Sequence, residues 1–187
     1  VKTLDLLQLR RSSKKFGTKA PNQEQLDTIF KAALRVPDHG HLKPYQFFVI
    51  EQAQLATFEQ HLNSAVIEFN LGEDGVKKAK KISSQAPMII AVVAKITKDL
   101  PKVPAWEQML TAGCATYAIQ LAANSLGFET CWITNKWVNG SALRQALNCQ
   151  EFDKIVALLM IGSPEEENEI TLASQAEDIS GFVHYLK

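Results

Sequence analysis

Charge of neither sign is in excess in this chain of 187 residues, where 20 Lys and Arg meet 20 Asp and Glu. The balance excludes the broad electrostatic attraction that carries nonspecific binding to nucleic acid or to a membrane surface. Cysteine is scarce. Cys114, Cys131 and Cys149 cannot all pair within one chain, and their wide spacing lacks the close pairs of a zinc site. Buried thiols in a reducing, cytoplasmic setting are expected instead. Long apolar runs are missing too: Lys2, Asp5 and Arg10 interrupt the first residues, no secretory signal is visible, and no segment reaches the roughly 20 apolar residues that span a bilayer. There is no G-x-S-x-G elbow, no P-loop and no glycine-rich fingerprint after an early strand, which removes three common catalytic or nucleotide-binding arrangements.

What is there argues for a folded protein. Hydrophobic residues make up 46% of the chain, against disorder, and the length fits a single domain over residues 1–187 with no repeat or linker. Residues 2–10 read as a short helix with Leu4 and Leu7 facing inward, with or without Leu6. Asn22 and Gln25 form a variant capping box before Leu26, Ile29, Phe30 and Ala33 at helical spacing, and Pro37 ends that helix ahead of a loop through His41. Phe47–Ile50 reads as a buried strand. Helices near 52–70 and 75–84 flank a turn at Gly72–Gly75.

Met88–Ala94 is the clearest interior strand, continuously apolar and rich in β-branched residues. Residues 105–126 form the longest helix, whose Ala112, Gly113, Ala115, Ala118, Ala122 and Ala123 permit close approach of another backbone or a flat ligand, with Gly127 as terminator. A strand near 129–134, a helix near 140–147 and a strand at 155–161 follow. Residues 165–180 read as a polar surface excursion and Phe182–Leu186 as a terminal strand, paired with the home sheet or with a partner subunit. The crossover order is irregular for a doubly wound sheet, so an α+β layer fold fits at least as well.

One cluster stands out against the zero net charge: Arg10-Arg11-Ser12-Ser13-Lys14-Lys15. Arginine forks can bridge two phosphate oxygens, lysine adds a mobile point charge, and hydroxyls and free amides complete such a cradle. Arg10, Arg11 and Ser12, then Lys14, are the candidates. A solvated basic helix end, complementing the helix dipole, explains the same pattern. His39 and His41 beside Asp38 raise the question of a metal, but no second strong ligand group appears downstream, and a ligand-contacting histidine in a surface loop is the better reading. Cys131 reads as a core thiol within Cys131-Trp132-Ile133. Trp132, Tyr45 and Trp106 can each line an aromatic ligand or fill the core, and Glu107 is a candidate acid or a solvated first-turn carboxylate.

Taken in order, these pieces resemble the nitroreductase family of flavin enzymes, and within it the small single-domain YdjA-like NAD(P)H nitroreductases. The resemblance runs from Leu6-Leu7-Gln8-Leu9-Arg10-Arg11-Ser12 through Ala33–His39 and Lys43–Ile50 to Pro104–Gln108, Gly127-Phe128 with Trp132, and Ile161-Gly162-Ser163-Pro164. It implies an α+β, three-layer fold: a central, mainly antiparallel sheet flanked by helices, with a C-terminal strand that can be exchanged between subunits. It also implies a homodimer with shared FMN sites.

In that scheme Arg10, Arg11 and Ser12 contact the FMN phosphate and ribityl chain, and Lys14 joins them. Arg35 and His39 reach the flavin of the partner subunit, and Cys131, Trp132 and Ile133 line the isoalloxazine. Leu121, Ala122, Ala123, Asn124, Ser125 and Leu126 fall in the region associated with the nicotinamide. The implied reaction is ping-pong: NADH or NADPH gives a hydride to flavin N5 and leaves, and a nitroaromatic, quinone or related electron-poor small molecule then takes the electrons. No protein nucleophile and no metal are needed. The alternative is a non-enzymatic flavin-binding carrier or sensor. Tyr45 stands where the family often has Trp, Leu42-Lys43 replace its more usual Asn-Gln, and Glu165-Glu166-Glu167 replace a basic pair that often contacts the phosphate. The last of these departures puts a late-chain phosphate contact in question and places more of the phosphate's binding on Arg10, Arg11 and Lys14.

Overall fold

In a computed structural model that describes residues 3–165 and 178–186, the two most apolar segments become the centre of one sheet. β2 (Met88–Ala94) is buried at every position, and β4 (Lys154–Gly162) at most of its own. Runs that are apolar at both odd and even positions need cover on both faces, and they receive it. The strand order is β1-β2-β4-β3, with β1 (Tyr45–Ile50) and β3 (Glu129–Ile133) at the edges and every neighbouring pair antiparallel.

Alternation along the strands splits the core in two. Ile89, Ala91, Val93, Leu158 and Met160 face α3 (Leu55–Glu68), α4 (Gly72–Ser84) and α6 (Ser141–Ala146). Ile90, Val92, Ala157, Leu159 and Ile161 face α2 (Gln23–Ala33) and α5 (Ala105–Ser125). The result is a three-layer α+β sandwich, as the resemblance implies. α5 reaches the sheet through Ala112, Ala115, Ile119 and Ala123, all fully buried, so half of the six predicted small residues serve helix–sheet contact. A Schellman turn closes α5: Phe128 N–H donates to Ala123 O (3.0 Å) and Gly127 N–H to Asn124 O (3.0 Å), with Gly127 at φ 84°. At the start of α2 the predicted box is present, since Asn22 Oδ1 accepts from Gln25 N–H and Gln25 Oε1 from Asn22 N–H, both at 2.9 Å.

Three expectations need correction. The Gly72–Gly75 turn is instead the first turn of α4, because Glu73 and Asp74 complement the positive end of the helix dipole there. α1 (Thr3–Leu9) buries no residue: Leu4 is 68% exposed and Leu7 is exposed as well, since no second layer among the described residues lies over them. Phe182–Leu186 does not form a strand. A turn at 180–182 leads into irregular backbone, and Phe182, Tyr185 and Leu186 stand in solvent with no strand edge among the described residues beside them. Most of the 165–180 excursion lies outside the described residues.

Candidate functional site

The Arg10–Lys15 cluster lies against a sheet edge. α1 ends where Arg10 N–H donates to Leu6 O (3.0 Å), and the chain then runs beside edge strand β3, with Ser13 N–H donating to Thr130 O (2.9 Å). Gln85 Nε2 holds the Lys14 carbonyl from the end of α4. Further along, Gly17 N–H bonds Ser163 O (2.7 Å) and Ser163 N–H bonds Lys19 O (2.8 Å), so residues 17–19 strap the end of β4. A side chain at position 17 would run into Ser163 and Pro164, which explains glycine at this close approach.

The cations of the cluster separate in role. Arg10 places its guanidinium 5.8 Å from the centroid of the Tyr117 ring on α5, a cation–π contact. Its Nη1 is buried without a hydrogen-bond partner among the described residues. A buried, charged donor left unpaired is costly, and an anion would relieve that cost. Lys14 lies close enough to Cys131 to act on it: burial pushes the Cys131 thiol up, and the Lys14 ammonium pulls it partly back. Lys15 turns away to Glu165 at 3.4 Å, in an exposed ion pair. Arg11 and Ser12 are exposed.

β3 supplies the other wall. Thr130 and Trp132 share the α5 face, and Cys131 and Ile133 turn toward the α3 layer. Gln120 Nε2 donates to Thr130 Oγ1 (3.2 Å), a buried bond that ties α5 to this strand. Trp132 is 37% exposed. Its indole N–H donates to Val156 O (2.9 Å), on the residue that bulges out of the β2–β4 register between Val92 and Val93. Because Thr130 O is bonded on the open edge, strand alternation turns the Trp132 backbone amide to that same edge. Hollows of about 490 and 820 Å³ flank the strap at Phe16–Thr18, and neither includes Arg10 or Trp132. Arg11, Ser12 and Trp132 along this edge are exposed, so the edge is open to one side in a single chain.

Arg35 and His39 lie elsewhere. Arg35 follows the end of α2 and is exposed. His39 Nδ1 is 2.7 Å from Glu107 Oε2, at the start of α5. Ten residues of helix, about 15 Å, separate Glu107 from Tyr117, so one subunit does not bring His39 to Arg10. Of the 121–126 stretch, Ala123 is fully buried, Asn124 Nδ2 donates to Phe128 O (2.7 Å), and only Ser125 and Leu126 are exposed. Tyr45 is core, stacked on Phe47 at 5.1 Å, whereas Trp106 is 60% exposed. Among the described residues no three His, Cys, Asp or Glu side chains gather as a metal site would need, and no helix is long and apolar enough to cross a membrane.

Sequence reasoning missed Tyr117 and Gln120. Both lie among the apolar and small residues of α5, with nothing local to link them to residue 10 or residue 130. Glu107 was visible as a carboxylate near the start of α5, but its partner, 68 residues away, was not.

Comparisons with known proteins converge on one group. A family model described as the nitroreductase family matches residues 7–163. A Haemophilus influenzae protein named "Putative NAD(P)H nitroreductase" is 52% identical over 183 residues, 98% of each chain. The Escherichia coli protein named "Putative NAD(P)H nitroreductase YdjA" is 37% identical over 182 residues, 97% of this chain and 98% of its own. Among solved structures, a nitroreductase with bound FMN from Bacteroides fragilis superposes with a TM-score of 0.69 at 20% identity, covering 98% of both chains.

Proposed function

This chain belongs to the nitroreductase family, and from that premise we propose that it is an FMN-dependent NAD(P)H oxidoreductase, working as a homodimer of single-domain subunits. The observation that carries the cofactor is the buried Nη1 of Arg10, without a partner among the described residues, beside the open edge of β3. The donor set fits a phosphate at one end and a flat ring along the strand, and the H. influenzae and E. coli relatives are named for NAD(P)H and nitroreduction. Bound FMN would supply the redox chemistry, accepting a hydride from NADH or NADPH and passing electrons to a nitroaromatic, quinone or similar small molecule in a second half-reaction.

The residues of this chain bind and orient. Arg10 forks onto the phosphate with Arg11, Ser12 and Lys14 around it. Cys131, Trp132 and Ile133 form the strand beside the ring, where the outward Trp132 amide can donate to it. Cys131 stays a protonated core thiol, since burial raises it, and needs no catalytic role. Within the 121–126 stretch, Ser125 and Leu126 are the side chains open to a nicotinamide, while Ala123 and Asn124 hold the end of the helix. The free thiols Cys114, Cys131 and Cys149 fit a reducing compartment such as the cytoplasm.

The homodimer rests on α5. Trp106, Met109, Leu110, Gly113, Cys114 and Tyr117 recur at intervals of three and four residues and form an outward stripe, with Trp106 and Leu110 each 60% exposed. Nothing comes within 4 Å of a side chain built at Gly113, so a second helix can approach closely there. With Leu4 and Leu7 the stripe makes an apolar face far from ordinary for a lone subunit. A second copy covers it in this reading. It also brings the start of the partner's α5, with the partner's Arg35 and the partner's His39, toward the open Arg10 edge, and the exposed C-terminal arm wraps the other subunit. Leu110→Asp is expected to turn the dimer into a monomer in sedimentation equilibrium and to expose Cys114 to thiol reagents. A variant that stays dimeric with Cys114 shielded would reject this interface.

Purified protein tests the cofactor and the reaction together. Bound or readily reconstituted FMN is expected in the absorption spectrum, followed in stopped flow by rapid bleaching with NADH or NADPH and rapid recovery with an acceptor. Folded protein that takes up no FMN overturns the proposal. Flavin that binds but is not reduced by nicotinamide indicates a carrier or sensor instead.

A further inference from the structure

The loop before β1 is built to aim one imidazole. Asp38 accepts from the backbone N–H groups of Leu42 (3.2 Å) and Lys43 (2.8 Å), closing the loop on itself. Gly40, His41 and Lys43 all take positive φ, at 76°, 54° and 47°. Two of these are non-glycine residues in a region that L side chains enter at a cost, and such strain persists where the surroundings hold it. Val103 packs under Gly40 from the segment that leads into α5. At the rim of this loop His39 keeps 58% of its side chain exposed and still sets Nδ1 2.7 Å from Glu107 Oε2.

A carboxylate oxygen accepts and does not donate, so the hydrogen of this bond belongs to Nδ1. In the neutral ring Nε2 is then the bare acceptor nitrogen, and in the charged ring it is a second donor. Either way the ring is held by one end and presents Nε2 outward. Glu107 lies next to Trp106, where the apolar stripe of α5 begins, so the presented nitrogen stands at the border of the face that a second copy covers.

We propose that Glu107 is a positioning residue for the shared flavin site: its carboxylate fixes the tautomer and direction of His39, so that Nε2 meets the FMN bound by the other subunit. This rests on the reading of His39 as a contact made across the dimer. It goes beyond that reading by assigning Glu107 a role that is exerted only through His39.

The two ideas separate in a double-mutant cycle read by FMN dissociation constants in equilibrium dialysis. His39→Ala and Glu107→Ala are each expected to weaken FMN binding about 5- to 10-fold, the scale of one lost polar contact. The double variant should lose no more than either single one, because Glu107 has nothing left to position. Glu107→Gln keeps an oxygen that can accept from Nδ1 and should stay within about twofold of the unmodified protein. The second readout is the His39 tautomer, from long-range ¹H–¹⁵N correlations of the FMN-free protein above the titration of imidazole. The hydrogen is expected on Nδ1 in the unmodified protein and in Glu107→Gln, with a shift toward Nε2 in Glu107→Ala.

Additive losses in the double variant, or a tautomer indifferent to Glu107→Ala, overturn the inference. An unchanged dissociation constant in His39→Ala overturns the shared-site reading and this inference with it. In neither case is the FMN assignment itself affected, because that stands on the unmodified protein's own binding.

Discussion

Replacing Arg10 by Ala is expected to weaken FMN binding by about 10- to 100-fold, or roughly 1.5–3 kcal/mol for a hydrogen bond to a charged group. Replacing Lys15, five positions beyond Arg10, should change it by less than about threefold, the scale of an exposed ion pair. The contrast comes from what each cation already does. Lys15 is spent on Glu165 at 3.4 Å in open solvent. Arg10 is packed over Tyr117 with Nη1 buried and unpaired, so its donor is oriented and desolvated before any anion arrives. Little further ordering is needed on binding, which is where preorganised sites gain affinity. Arg10→Lys should recover only part of the loss, because an ammonium cannot present a fork. Fluorescence titration of apoprotein with FMN measures all three constants. Equal values for Arg10→Ala and Lys15→Ala would remove Arg10 from the phosphate site.

The largest effect on stability is expected at Asp153, which takes no part in the site. Its carboxylate is buried. Oδ2 accepts from Lys95 Nζ and from Gln150 N–H (2.8 Å), and Oδ1 accepts from Ile96 N–H (3.0 Å). Lys95 also donates to Asn148 O (3.1 Å), and Arg144 holds the carbonyls of Asp153 (2.9 Å) and Gln150 (2.7 Å). The group pins the chain leaving β2 to the turn that enters β4.

Asp153→Ala strands the Lys95 charge and two backbone donors. About 3 kcal/mol of stability should go, the low end of the range for breaking a buried pair, because the Lys95 side chain is 26% exposed. Asp153→Asn offers one oxygen and one NH₂ group, so it must set a donor against Ile96 N–H or against Lys95, and most of the loss should remain. Urea unfolding at neutral pH with an unchanged slope checks this, and a loss below about 1 kcal/mol would show that the network is not holding the turn.

The same carboxylate has a defined signature in acid. Burial raises its pKa, but the bonds from Lys95, Gln150 and Ile96 outweigh burial and bring it below its ordinary value of 3.8. A depressed carboxylate contributes stability that is fully present above the unfolded value and is lost as pH falls through the folded one. The contribution should therefore persist down to about the ordinary aspartate range and drain away below it. The difference in urea midpoint between the unmodified protein and Asp153→Asn should shrink only in that acid window. A difference that already narrows between neutral pH and the ordinary aspartate range would mean that Asp153 is not held ionised by this network.

Much of the fold was legible in the residues themselves. Met88–Ala94 is legible to its last residue because a run apolar on both parities leaves little choice but an interior strand, and the α2 box is readable because its two partners are three residues apart. α1 departs from its pattern for a related reason: Leu4 and Leu7 do form an apolar stripe, but periodicity says that a face is to be covered and not by which chain. Phe182–Leu186 carries strand-forming residues, yet a strand needs an edge to pair with, and β-propensity does not supply one.

The candidate site divides along the same line. The types and order of residues at 10–15 and 131–133 are sequence properties, and so is the family they identify, since both depend on what is adjacent along the chain. Tertiary structure alone decided that Ser13 lies on Thr130, that Arg10 and not Lys15 keeps an unpaired donor, that His39 answers to Glu107, and that Lys95 is held by Asp153. Each of these is a contact between segments distant in sequence. Hydrogen bonds and charges act over a few ångströms in space, so the chain must fold before the roles of these residues are settled.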